Sequence, residues 1–399
     1  MKRREFLHYS SLASTSLLVP SFLQAPWKAQ RENSRSGKIL VVIQLSGGNN
    51  GLNTIVPYRN DVYYRERPRL AVAKKEVLPV ADELGFNPAL EALRGLYDDG
   101  RMSIINNVGY PNPDRSHFRS MDIWHTASAA EEYRAHGWLG SWLDSQCHAC
   151  DSPYHALEVD DSLSLALKGK TYSGFAMSSP ERLQRSTENR FLQALGRSTH
   201  HEHEHTEVAY LYKTMIDTQD SAQYLFEQSQ RGRTQVDFPA TRFGQELAMV
   251  ARLILADTDT QVYYVSLTGF DTHANQKNQQ ERLLRQYAEG VAAITEELRR
   301  HDLLDDTLIM TFSEFGRRVA QNASNGTDHG AANNLFLMGG GLRSGGFYND
   351  GPDLLDLDDG DVKYAVDFRS VYATVLERWL DASPEDVLGD RFDLLDVLR

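Results

Sequence analysis

The chain has 399 residues, 41% of them hydrophobic and 24% charged, with a formal charge of −13 at pH 7. That balance gives enough apolar side chains for a sizeable core and excludes an intrinsically disordered polymer. The acidic excess argues against a nucleic-acid partner, whose phosphates need clustered Lys and Arg, and no run of about 18 apolar residues marks a membrane-spanning helix.

The first element in chain order is not structural. MKRREFLHYSSLASTSLLVPSFLQA has a basic start, a weakly apolar middle and small residues toward Ala25 and Ala29, the plan of a cleaved export signal. Arg3-Arg4-x-Phe6-Leu7 closely resembles the twin-arginine motif, which addresses folded proteins to their translocase. The expectation is a signal over residues 1–30, a single domain over 31–399, and a periplasmic or extracellular destination. Export after folding also lets a metal be loaded in the cytoplasm.

KILVVIQL (38–45) is a continuous β-branched run, the pattern of a strand buried on both faces of a parallel sheet, and it ends in the Gly/Asn-rich turn SGGNNGLN. A helix is expected around 87–97 and a second strand at RMSIINNV (101–108). A Pro-rich loop then enters a helix near Ser116. Residues 150–180 read as short strands and loops, and 180–258 as a helical insertion or cap with long segments at 206–231 and 239–257. QVYYVSL (261–267), DTLIMTFS (306–313) and NNLFLMGGG (333–341) are further strands, with helices over 276–301 and 367–381. Strands alternating with helices predict an α/β fold with a mainly parallel central sheet.

Ligands of open α/β sheets bind beyond the carboxyl ends of the strands. Polar groups gather at those positions here: Asn50 after the first strand, Ser116 and His117 after the second, Asp271 and His273 in GFDTHANQ, and Glu314 after 306–313. Asp328 and His329 precede 333–341. Each has an ordinary alternative. Asp271-x-His273 suits zinc or a similar ion, or builds an Asx turn. Glu314 needs a cation or donors once buried, and Arg317 or Arg318 can serve. Ser116 is a nucleophile at a helix N-terminus or simply its N-cap. The run HHEHEH (200–205) reads as a solvated, opportunistic metal binder. Cys147 and Cys150, in SQCHAC, read as structural or incidental, with a redox pair as the sharper alternative.

Six motifs in order, LSGGNNGLNTIVPY, GYPNPDRSHFRSMDIWHTA, GFDTHANQ, TFSEFGR, GTDHGAANNLFLMGGGLRSGG and DFRSVYATVLERWL, resemble the family catalogued as domain of unknown function 1501, over roughly residues 38–399. That family looks like a branch of the alkaline phosphatase and sulfatase superfamily. The resemblance implies a three-layer sandwich and two divalent metal positions, zinc being the suited ion. By carry-over, Asp271, His273 and His329 would hold the first metal, and Glu314 the second, with Asp328 as its candidate partner. Ser116 matches the nucleophile region with His117 beside it, and Arg317 would steady the transferred group. The family's motif has an aspartate where this chain has Asn50, a weaker ligand that removes one negative charge. The expectation is an exported metal-binding hydrolase of a small phosphate or sulfate ester. The rival is a cell-envelope binding or assembly protein that keeps the fold without catalysis.

Overall fold

The computed structural model describes residues 37–146, 153–187 and 221–399. The segment read as an export signal (1–30), Cys147, Cys150 and the histidine run lie outside the described residues. Among them, no helix is long and apolar enough to cross a membrane.

The central sheet is built from β1 (Ile39–Ser46), β2 (Met102–Gly109), β3 (Ala156–Glu158), β4 (Phe175–Ala176), β5 (Val262–Thr268), β6 (Thr307–Phe312), β7 (Asn333–Gly339), β8 (Gly346–Phe347) and β9 (Val366–Asp367). Their spatial order is β8-β2-β7-β6-β1-β5-β3-β4, with β9 also paired to β2. β1 pairs parallel with β5 and β6, and every other pairing is parallel except those of β7, which runs antiparallel to both β2 and β6. The sheet is therefore mainly parallel, with one reversed internal strand.

Helices cover both faces. Ile39, Val41, Ile43 and Leu45 of β1 pack against α3 (Arg242–Leu255) and α4 (Gln276–Arg300), through Phe243, Leu247, Leu284 and Val291. Leu40 and Val42 face the other layer, made by α1 (His117–Thr126), α2 (Trp138–Gln146) and α5 (Phe368–Arg378). Two-sided burial is why β1 reads as an unbroken apolar run although its side chains alternate. Trp124 anchors α1 to the sheet, stacked between Phe312 and Phe368 at ring-centroid distances of 4.9 and 4.3 Å. Emptying that position to alanine costs about 3–5 kcal/mol, so α1 is tied to a rigid layer through its C-terminal half.

Two local readings differ from the sequence expectation. The helix expected over 87–97 begins as a 3-10 segment, Pro88–Leu93, and becomes α-helical only at Arg94–Asp98. Asn87 caps it and Pro88 sets its first turn, while Gly95 weakens continuation. α2 has no counterpart in the sequence reading, because its indoles give an apolar stretch without a clear helical stripe. Within residues 180–258, α3 packs directly on the sheet.

Candidate metal centre

β7's reversal positions the site. Because it is antiparallel, its first residue Asn333 pairs with Val108 near the end of β2. The loop that precedes β7 thus arrives at the same sheet edge as the loops that follow β1, β2, β5 and β6. Asp328 and His329 reach the edge shared by Asn50, His117, Asp271 and Glu314 even though they come before their strand.

The loops are locked against each other at close range. Gly47 has φ +116, and a Cβ there would lie 2.4 Å from the Asp271 backbone nitrogen, so the turn after β1 admits only glycine. Asn275 and Gln276 donate backbone N–H bonds to Ser324 and Asn325 at 3.0 and 2.9 Å, bringing the 322–330 loop onto the start of α4. An isolated bridge pairs Arg317 with His329. Ser120 of α1 donates to the Glu314 carbonyl at 2.6 Å.

Three imidazoles converge on one carboxylate oxygen. Asp271 Oδ1 lies 3.2 Å from His117 Nε2, 3.0 Å from His273 Nε2 and 3.2 Å from His329 Nε2. The Nε2 atoms of His273 and His329 are 2.9 Å apart. Ligand atoms of His117, Asp271 and His329 all lie within 4.8 Å of one another. Donors held 2.0–2.1 Å from a common ion stand roughly 2.9–3.4 Å apart as neighbours, which matches the distances of the three Nε2 atoms from Asp271 Oδ1 and the His273–His329 separation.

Hydrogen positions sharpen the point. His329 Nδ1 lies 2.7 Å from the Arg115 carbonyl, an obligate acceptor, so Nδ1 carries the proton and Nε2 is a lone pair. His117 Nδ1 sits 2.9 Å from Glu314 Oε1, and His273 Nδ1 is 3.4 Å from Asp328 Oδ1. In neutral rings this turns three lone pairs toward an acceptor oxygen. His117 Nε2 is buried and makes no hydrogen bond among the described residues. The residues present fit a divalent metal.

The charges respond accordingly. Burial works to raise the Asp271 pKa, but Arg317, His329 and His117 hold it well below the usual carboxylate range. The Glu314 hydrogen bond raises His117, opposed by burial. His329 is lowered, mainly by burial. The hydrogen bond from Asn322 leads in lowering Asp328.

The other expected residues occupy stated places. Ser116 is exposed at the N-cap of α1, and its hydroxyl makes no capping bond. Glu314 is fully buried; Gly47 N–H donates to its Oε1 at 2.8 Å and Ser313 Oγ to its Oε2 at 3.2 Å. Arg317 is buried and donates to the carbonyls of Gly47, Gly48, Phe270 and Thr327 and to Asp271 Oδ1. Its donors hold the loops and Asp271 together. Main-chain groups of Gly47 and Arg115 complete the site, and no side-chain signal could have revealed them.

The family described as "Protein of unknown function (DUF1501)" matches residues 101–383. The chain belongs to this family. Comparison with curated proteins gives no match. Similar solved structures include the phosphonate monoester hydrolase SpPMH from Silicibacter pomeroyi, at 10% identity and a TM-score of 0.39, covering 90% of this chain and 78% of that one. The PsFucS1 sulfatase from Pseudoalteromonas sp. has 9% identity and a TM-score of 0.38, covering 91% and 74%. The C-terminal periplasmic domain of EcEptC from Escherichia coli, in complex with Zn, has 10% identity and a TM-score of 0.35, covering 77% and 74%.

In this DUF1501 chain Asn50 is fully buried beside the site, and its amide is spent elsewhere. Asn50 Oδ1 accepts from Arg67 Nη1 at 2.7 Å, and its Nδ2 donates to Gln276 Oε1 at 3.1 Å. Arg67 is itself fully buried and also bonds to Asn53 Oδ1 and to the carbonyls of Val319 and Arg318. Burial lowers its pKa to about 10.

Proposed function

We propose that this protein is an exported, divalent-cation-dependent hydrolase of a small anionic ester, a phosphate or a sulfate. The observation that carries the reading is the meeting of His273 Nε2 and His329 Nε2 on Asp271 Oδ1, with both outer nitrogens facing oxygen. Added protons are a poor substitute for a metal there. Protonating both rings would set two N–H groups head to head at 2.9 Å. The nitrogen-rich donor set favours zinc or a similar transition ion over magnesium or calcium.

A cation held by Asp271, His273 and His329 supplies Lewis-acid polarisation of an ester oxygen and favours ionisation of a nearby hydroxyl. Ser116 offers that hydroxyl, exposed and free of helix capping. The start of α1 adds backbone N–H groups that favour an anionic ester group. Arg317 fixes Asp271 and three loops in place, and the superfamily resemblance supports ester chemistry at this edge.

The leader at 1–30, the single domain over 31–399 and delivery by the twin-arginine translocase belong to the same proposal. So does the reading of 180–258 as an insertion. The test is metal analysis of protein isolated without added metal, with turnover of aryl phosphate and aryl sulfate esters. Protein with neither bound metal nor turnover sinks the reading. Bound metal without turnover favours a cation-binding envelope protein that keeps the fold. Asn50 motivates that second reading, since an amide bonded to Arg67 stands where the family's motif has a carboxylate.

A further inference from the structure

We infer that His117 is a ligand of the same cation through Nε2, that Glu314 is the carboxylate that orients it, and that the centre holds one cation. This deepens the metal-centre reading above and rests on it. The three imidazoles share one design. In each, Nδ1 faces an oxygen (Glu314, Asp328 or the Arg115 carbonyl) and Nε2 faces Asp271 Oδ1. Metal-bound histidines are fixed in this way, with the outer N–H on a carboxylate or carbonyl setting tautomer and ring orientation. His117 also packs in a triangle of rings with Phe315 and His329, at 4.8 and 4.3 Å between centroids, those two being 4.7 Å apart. Its Nε2 is buried and makes no hydrogen bond among the described residues.

The residues that the resemblance assigns to a second cation are engaged otherwise. Glu314 accepts from Gly47 N–H, Ser313 Oγ and the His117 ring. Asp328 faces His273 Nδ1 and accepts from Asn322 Nδ2 at 3.1 Å. Asn50 Oδ1 is on Arg67. Two carboxylates thus orient ligands of the first cation, and the third position is an amide bonded to a guanidinium. Among the described residues, the three positions assigned to a second ion are thus already engaged.

The test is calorimetric titration of chelator-stripped full chain with Zn²⁺, and with Co²⁺ for its ligand-field spectrum. The chain carries His200→Ser, His201→Ser, His203→Ser and His205→Ser so that the histidine run adds no sites. The expected result is one equivalent, with negligible binding of Mg²⁺ or Ca²⁺. His117→Ala should weaken affinity by more than about 100-fold and change the Co²⁺ spectrum. Glu314→Gln keeps an acceptor oxygen for Nδ1–H and should weaken affinity about 10-fold, which tests the orienting role even if His117→Ala misfolds. Phe118→Ala, exposed on the same helical turn, should bind as the parent does. Two equivalents overturn the single-cation assignment. One equivalent with unaltered affinity and spectrum in both site variants overturns the roles of His117 and Glu314 while leaving the Asp271, His273 and His329 centre standing. No binding by the parent chain overturns both proposals.

Discussion

Arg67 and Asn50 form a buried pair in which only one partner is charged. The guanidinium donates to the amide oxygen at 2.7 Å, and its remaining bonds go to Asn53 and two carbonyls, all neutral. A buried cation served only by neutral acceptors is poorly compensated.

Asn50→Asp should therefore act on stability. A carboxylate at this position pairs with Arg67, once Gln276 turns its amide over, and should stabilise the fold by about 1–3 kcal/mol. Chemical denaturation of the two proteins measures this. If the variant gains a second metal equivalent and no stability, the side chain serves the metal centre and the pairing with Arg67 is wrong.

Glu158 predicts a loss of stability toward higher pH. It is buried at the end of β3, and burial raises its pKa to about 7 from 4.5, with Ser164 N–H donating to it at 2.6 Å. The unfolded chain releases this proton near 4.5 while the folded chain keeps it to about 7, so folding binds a proton in that window. The contribution is complete below 4.5 and falls by up to about 3 kcal/mol as pH rises through 7. Glu158→Gln should lack that slope, which then appears in the difference between parent and variant; parallel curves from pH 4.5 to 8 would refute it.

His125 predicts the opposite slope. It is buried, with Nε2 3.1 Å from Gln44 Oε1 and from Tyr264 Oη, and burial lowers its pKa to about 4 from 6.5. Here the unfolded chain takes up the proton first. Stability is complete above 6.5 and falls by up to about 3 kcal/mol as pH drops through 4. His125→Gln should flatten this part of the acid limb in thermal unfolding scans, and an unchanged limb would show the ring is not buried neutral.

Metal should stabilise the fold by mass action. With zinc at 100 times its dissociation constant, the native state gains about 2.7 kcal/mol. Calorimetric scans should show the midpoint falling on treatment with chelator and returning with zinc. A midpoint indifferent to both would mean that no metal binds the native state preferentially.

Replacing Arg3 and Arg4 by Lys should block export. Cell fractionation should find the uncut precursor accumulating inside, and unimpaired export would show that the leader is not read as a twin-arginine signal.

The sequence by itself determined the α/β class and the edge where the polar residues collect. Strands buried on both faces must be apolar throughout, and residues that follow such strands sit at their carboxyl ends. It also marked Asp271, His273 and His329, because short polar motifs after apolar runs are visible locally. Tertiary structure alone decided that β7 runs backwards, which is why Asp328 and His329 reach the edge from before their strand. It also decided the division of labour: which ring nitrogen faces Asp271, that Glu314 meets His117 from 197 residues away, and that Asn50 turns to Arg67. These depend on hydrogen-bond direction between loops that meet only when the sheet is assembled. One-dimensional spacing shows which groups are present, and packing fixes which atom of each is left to bind.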